Sequence, residues 1–162
     1  MNYHNITKDD MLNGDGLRVV LWVAGCNHNC FACQNPETHP LNSGIPFDDD
    51  AEVELFEELS KSHISGITFS GGDPLHPQNR EEVTLLAKKV KNILPIKTVW
   101  LYTGYLYEEV KDLEIMNYID VLVDGEFMID LKDENLKWVG SSNQRVIDIP
   151  STIKQNSIIL KF

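Results

Sequence analysis

The sequence predicts an α/β fold: an open, partial (βα) barrel with a mostly parallel sheet. Short apolar runs rich in β-branched and aromatic residues alternate with stretches of helical periodicity, which is the pattern of βαβ units. The polar or glycine-rich motifs follow the first four strands directly. They therefore fall at C-terminal strand ends, on the rim where parallel α/β sheets place their chemistry. Length decides between open and closed. The 162 residues hold about five such units as a single domain spanning 1–162, whereas a closed eight-stranded barrel takes roughly 250 residues.

The elements follow in order. Leu17 to Gly25 (Leu-Arg-Val-Val-Leu-Trp-Val-Ala-Gly) reads as a buried strand running into a cysteine-rich loop. Asp48-Asp49-Asp50 opens a helix to about Ser62, because carboxylates complement the positive end of the helix dipole; Val53, Leu55, Phe56 and Leu59 supply its apolar face. Gly66 to Ser70 is a second strand, leading into Gly71-Gly72-Asp73-Pro74. Val83, Leu86, Ala87, Val90 and Leu94 recur at helical spacing until Pro95 stops the helix. Lys97 to Thr103 is the third strand and ends in Tyr102-Thr103-Gly104-Tyr105. Leu106 to about Asn117 is a third helix, with Leu106, Val110 and Leu113 inward. Tyr118 to Val123 is the fourth strand, ending in Asp124-Gly125. Arg145 to Ile149 is a candidate fifth strand, and Ser157 to Phe162 a candidate edge strand or extended tail.

Composition narrows the function. A net charge of −11 argues against a nucleic-acid-binding surface and against anionic membranes. The longest apolar run is far too short to span a bilayer. The segment Met1-Asn2-Tyr3-His4-Asn5 lacks the basic and then apolar pattern of a secretory signal, so the expected compartment is the cytoplasm, where thiols stay reduced.

The three cysteines all lie within eight residues, as Cys26-Asn27-His28-Asn29-Cys30-Phe31-Ala32-Cys33. A structural disulfide fits badly, since the number is odd and the thiols are too close in sequence to clamp distant parts of the chain. Zinc held by three cysteines and a histidine, His28 or His39, is one reading, although only one Cys-x2-Cys knuckle is present. The other reading is an iron–sulfur cubane, held by three thiolates with one iron left open. His28 itself reads as a solvated loop residue.

The other motifs each have a bland and a functional reading. Gly71-Gly72 is a tight turn or a place where backbone approaches a ligand closely. Tyr102-Thr103-Gly104-Tyr105 is a polar loop or a source of ligand-facing hydroxyls. Asp124 caps a turn or accepts bonds from ribose hydroxyls. Gly140 to Arg145 is a surface loop or a contact, with Arg145 able to grip a carboxylate bidentately. Asn13-Gly14-Asp15-Gly16-Leu17-Arg18 lacks the lysine of a phosphate-binding loop and reads as a turn whose Arg18 points toward a cofactor or partner.

The C-x3-C-x2-C spacing resembles that of the radical S-adenosylmethionine (SAM) enzymes. The ordered set Asn13 to Arg18, Ser70 to Asn79, Tyr102 to Tyr105, Val121 to Gly125 and Gly140 to Gln144 is similar, within that superfamily, to the activating proteins of anaerobic (class III) ribonucleotide reductases, over about residues 1–145. The resemblance implies a radical SAM type of partial barrel and a [4Fe-4S] cluster on Cys26, Cys30 and Cys33, with SAM chelating the open iron. It places Ala32, Cys33 and Gln34 against SAM, and Gly71, Gly72 and Asp73 at its amino-acid end. It implies reductive cleavage of SAM by one electron from an unidentified donor, then hydrogen abstraction from a glycine in the large subunit of the reductase. No general acid or base is needed, so none is assigned. The alternatives are activation of another glycyl radical enzyme and, in a different class, a non-enzymatic zinc-binding adaptor.

Overall fold

The computed structural model describes residues 1–161 and places seven strands in one sheet. They are β1 (Asn2–Asp10), β2 (Arg18–Val23), β3 (Ile45–Pro46), β4 (Gly66–Gly71), β5 (Thr98–Tyr102), β6 (Val121–Asp124) and β7 (Arg145–Asp148), in the spatial order β3-β1-β2-β4-β5-β6-β7. The middle is parallel, with β2, β4, β5 and β6 side by side. The margins are antiparallel: β1 on β2, β3 on β1, and β7 on β6. The fold is therefore mixed α/β with a parallel centre. The four strands expected to carry the rim motifs are neighbours.

Alternation along the strands builds two apolar layers. Val19, Leu21 and Val23 of β2, Ile67 and Phe69 of β4, Val99 and Leu101 of β5 and Leu122 of β6 share the larger core with the helices. Trp100, Val121, Val123 and Val146 form a smaller cluster, with Tyr102, Trp138 and Val139 packed on it. Helix α1 (Asp49–Leu59) starts where the Asp48 carboxylate accepts from Ala51 N at 2.9 Å. It buries Ala51, Leu55 and Leu59, while Val53 is 56% exposed rather than inward. Helix α2 (Arg80–Ile93) buries Val83, Leu86, Ala87 and Val90 and stops two residues before Pro95.

The expected third helix is broken. Only Tyr107–Val110 is α-helical (α3), and a 3-10 turn covers Glu114–Asn117. Leu106 becomes the N-cap of α3 and is 46% exposed, so it does not point inward. Strand β1 is absent from the sequence-based expectation, as is α4 (Ile149–Gln155), which takes Pro150 in its first turn and Asn156 in left-handed geometry at its end. The expected fifth strand is β7. Of the expected terminal strand, Leu160 forms a single bridge to Ile147, and Phe162 lies outside the described residues.

Arg18 corrects a sequence expectation. It is fully buried within the chain, on the side of the sheet that carries Trp100. Its guanidinium donates to Thr68 Oγ1 (2.9 Å), Asp15 O (3.0 Å), Thr98 Oγ1 (2.8 Å), Ile67 O (2.7 Å) and Thr98 O (2.9 Å). It also lies 5.5 Å from the Trp100 ring centroid. This cation ties β2 to β4 and β5 through neutral acceptors.

Candidate functional site

A cavity of about 470 Å³ opens at the C-terminal ends of the parallel strands. The loop after β2 brings Cys26, His28, Cys30, Cys33 and Gln34 to it; the turn after β4 brings Gly71, Gly72 and Asp73. The ends of β5 and β6 add Tyr102, Thr103, Gly104 and Gly125 to Phe127. Motifs as far apart in sequence as Cys26 and Phe127 thus share one wall because their strands are adjacent. Ala32 does not line the cavity. It is exposed and holds a left-handed φ of 57°, in the turn closed by Cys33 N donating to Cys30 O at 3.2 Å.

The cysteine loop is fastened at its base. Gly25 N donates to Thr38 O at 2.7 Å and Cys26 N to His39 O at 3.0 Å. All three thiols are free and partly buried. Burial pushes the Cys26 thiol up to about 11 and raises that of Cys30. Metal ligation takes the thiolate, so metal binding at these sulfurs releases protons against that burial cost. Asn35 N, 3.4 Å from Cys33 Sγ, supplies an N–H···S contact of the kind that tunes iron–sulfur sites.

His28 is the residue whose position the sequence did not reveal. Its Nε2 lies 2.6 Å from Asp73 Oδ2 and its Nδ1 3.0 Å from Glu126 Oε1. Its ring stands edge-on to Tyr105 at 4.7 Å. The hydrogen bond to Asp73, reinforced by Glu126, raises its pKa above the ordinary histidine value, against the opposing effect of burial. It is therefore not a solvated loop residue, and both ring nitrogens are engaged by carboxylates. No local signal marks it, since its partners lie 45 and 98 residues away.

Chain packing by itself requires glycine at both positions of the β4 turn. A Cβ on Gly71 would sit 2.6 Å from Val23 N and O, and Gly71 has φ of 105°. One on Gly72 would meet the Gly25 backbone at 2.6 Å. Their bareness lets the β4 turn close onto the end of β2. Asp124 serves a turn and an ion pair: it accepts from Tyr107 N at 2.7 Å and from Arg145 Nε at 3.0 Å. Arg145 does grip a carboxylate, but of its own chain, bridging Asp124 and Glu108. In the Gly140 to Gln144 loop, Gln144 Oε1 accepts from Gly140 N and Ser141 N.

The residues fit an iron–sulfur group by donor chemistry: three reduced thiols open onto one cavity, beside buried polar atoms without a partner among the described residues, namely Tyr102 Oη, Trp138 Nε1 and His39 Nε2. Among the described residues no three His, Cys, Asp or Glu side chains are grouped so as to hold a single metal ion. A family profile described as "4Fe-4S single cluster domain" matches residues 12–147. The anaerobic ribonucleoside-triphosphate reductase-activating protein of Enterobacteria phage T4 is 47% identical over 146 residues, 90% of this chain and 93% of that protein.

The chain belongs to this family of reductase-activating proteins. Members from Escherichia coli K12 (43% identical over 150 residues, 90% of this chain and 97% of that protein) and Vibrio cholerae (42% over 148 residues, 89% and 96%) carry the same name. The family likeness thus covers the cysteine loop and every strand-end motif of the cavity. No helix among the described residues is long and apolar enough to cross a membrane.

Proposed function

We propose that this protein activates an anaerobic ribonucleoside-triphosphate reductase through a [4Fe-4S] cluster on Cys26, Cys30 and Cys33 that leaves one iron for SAM. The supporting observation is that the three thiols and the motifs of β4, β5 and β6 open into one cavity, in a family whose members are named for this activation. We read the sheet as an open partial barrel of radical SAM type, one domain over residues 1–162, in a cytoplasmic protein.

When bound, the cluster and SAM supply one-electron reductive cleavage and, through it, hydrogen-atom removal from a glycine α-carbon of the reductase. The chain's own residues do the rest. The loop base at Gly25 and Cys26 fixes where the sulfurs sit. Cys33 and Gln34, with the backbone around Gly71 and Gly72, form the wall against which SAM rests. Ala32 contributes by shaping the turn between Cys30 and Cys33. Apolar Leu136, Phe127 and Val139 around the cavity exclude water. The open rim accepts a peptide segment of the reductase large subunit, and an unidentified donor provides the electron.

The test is anaerobic reconstitution with iron and sulfide, followed by electron spin resonance with and without SAM, then with the reductase. A brown protein whose cluster signal changes with SAM, and which raises a glycyl radical on the reductase, is the expected result. A colourless protein with stoichiometric zinc refutes it in favour of an adaptor. A radical raised only on another glycyl radical enzyme changes the substrate.

A further inference from the structure

Asp73 is 1% exposed and surrounded by donors. Leu75 N reaches Oδ1 at 2.8 Å, and Thr103 Oγ1 lies 2.9 Å from Oδ1 and 3.0 Å from Oδ2. Gly104 N (3.0 Å) and His28 Nε2 (2.6 Å) complete Oδ2. A carboxylate has about four lone-pair sites, so nothing remains to accept an incoming ammonium group. These donors belong to three different strand ends: the β2 loop, the β4 turn and the β5 turn.

We infer that Asp73 is a positioning residue rather than a cofactor contact: with His28 it clamps the cysteine loop to the ends of β4 and β5, and Glu126 extends the clamp to β6. The inference rests on reading Cys26 to Cys33 as the cluster loop. Two further observations support it. Among the described residues, the Cys26 to Cys33 segment makes a single internal backbone hydrogen bond, from Cys33 N to Cys30 O, and beyond the bond from Cys26 N to His39 O at its base its middle is held by side-chain contacts. And a Cβ on Gly104 would lie 2.6 to 2.8 Å from the His28 ring, so glycine there makes room for the imidazole at a position with no positive φ to demand it. Metal ligands need placement to within about 0.5 Å, and a histidine held on both nitrogens and one ring edge gives the middle of the loop that precision.

The test has two arms on the full-length chain. In the metal-free protein, iodoacetamide alkylation at Cys26, Cys30 and Cys33 is followed by mass spectrometry. The variants are His28→Ala, Asp73→Asn and Gly104→Ala, the last of which removes no charge and no polar group. Each variant is expected to speed alkylation several-fold. The double variant His28→Ala/Asp73→Asn should add little to either single one, because the two residues act as a unit. His28→Gln, whose amide still donates to Asp73, should restore slow alkylation.

In the second arm, SAM affinity of the reconstituted protein is measured by calorimetry. Gly104→Ala and His28→Ala should weaken it to the same degree as Asp73→Asn. Wild-type alkylation rates in all variants, or a loss of SAM affinity of tenfold or more confined to Asp73→Asn, would overturn the clamp. If Asp73→Asn fails to fold, the Gly104→Ala and His28→Ala results decide. A wild-type chain that takes up no cluster defeats the proposed function, and the alkylation arm still reads the clamp.

Discussion

Replacing Arg18 by methionine tests whether a buried cation without a carboxylate partner holds the sheet together. Methionine keeps the apolar stem and removes all five donors. Thr68 Oγ1 still donates to Asn13 O at 2.7 Å, so that hydroxyl survives. The carbonyls of Asp15, Ile67 and Thr98 lose the guanidinium. Each such loss costs about 1–3 kcal/mol. Against it stands the desolvation of the charge, the main reason Arg18 is lowered to about 10. A depression of that size corresponds to roughly 3 kcal/mol, which methionine would recover. The balance is a net loss of about 3 kcal/mol, a large part of the 5–15 kcal/mol typical of a folded domain. In equilibrium urea unfolding the midpoint should fall by roughly 1.5 M at an m-value of about 2 kcal/mol/M. Arg18→Lys, with three donors on a flexible stem, should fall in between. A midpoint unchanged or raised in Arg18→Met would refute the reasoning, because desolvation would then outweigh the hydrogen bonds.

Four other outcomes are expected. Cys30→Ala, reconstituted anaerobically, should lose its iron–sulfur absorbance and its SAM cleavage, read by chromatography of the methionine released. Gly66→Ala places a Cβ 2.0 Å from Thr98 O, so its thermal unfolding midpoint should drop by an amount corresponding to about 3 kcal/mol of overpacking. Asp124→Asn takes the buried partner from Arg145 and should cost about 2–4 kcal/mol in urea unfolding, whereas a change below about 1 kcal/mol would show the pair to be replaceable. Glu108 is held below the usual carboxylate range, first by its hydrogen bond from Arg145. A depressed folded-state value means its stabilisation is present above the unfolded pKa and is lost as pH falls through the folded one. Glu108→Gln should therefore unfold with a shallower loss of stability from about pH 5 downward than the wild type.

The parallel strands were legible because burial on both faces leaves continuous apolar runs, as in Val19 to Val23 and Val121 to Val123. The rim motifs followed from them, since a motif after a strand has only one place to be. Strand β1 was not legible: it is antiparallel, interrupted by register shifts, and buries little beyond Tyr3 and Ile6 in a polar sequence. Helix α4 was hidden because Ile149-Pro150 looks like a stop, when proline in a first turn is a start. The third helix was over-read in length: Val110 and Leu113 do pack on the core, but Leu106 does not, and only one α-helical turn and a 3-10 turn form. Within the site, residue types were readable but partnerships were not. Nothing near Asp73 announces Thr103 and His28, and nothing near Arg18 says that its acceptors are threonines and carbonyls of other strands.

The paired amide bonds that join Gly25 and Cys26 to Thr38 and His39 have a consequence for how this chain tolerates change. A stretch that departs and returns at the same point transmits little of its own length to the framework. Substitutions at the exposed Pro36 and Glu37 of its outer arc should leave the strand beneath in register. The sulfur-bearing segment is in this sense a head on a fixed neck, pinned at its middle by His28 and free to vary in length only along its outer arc.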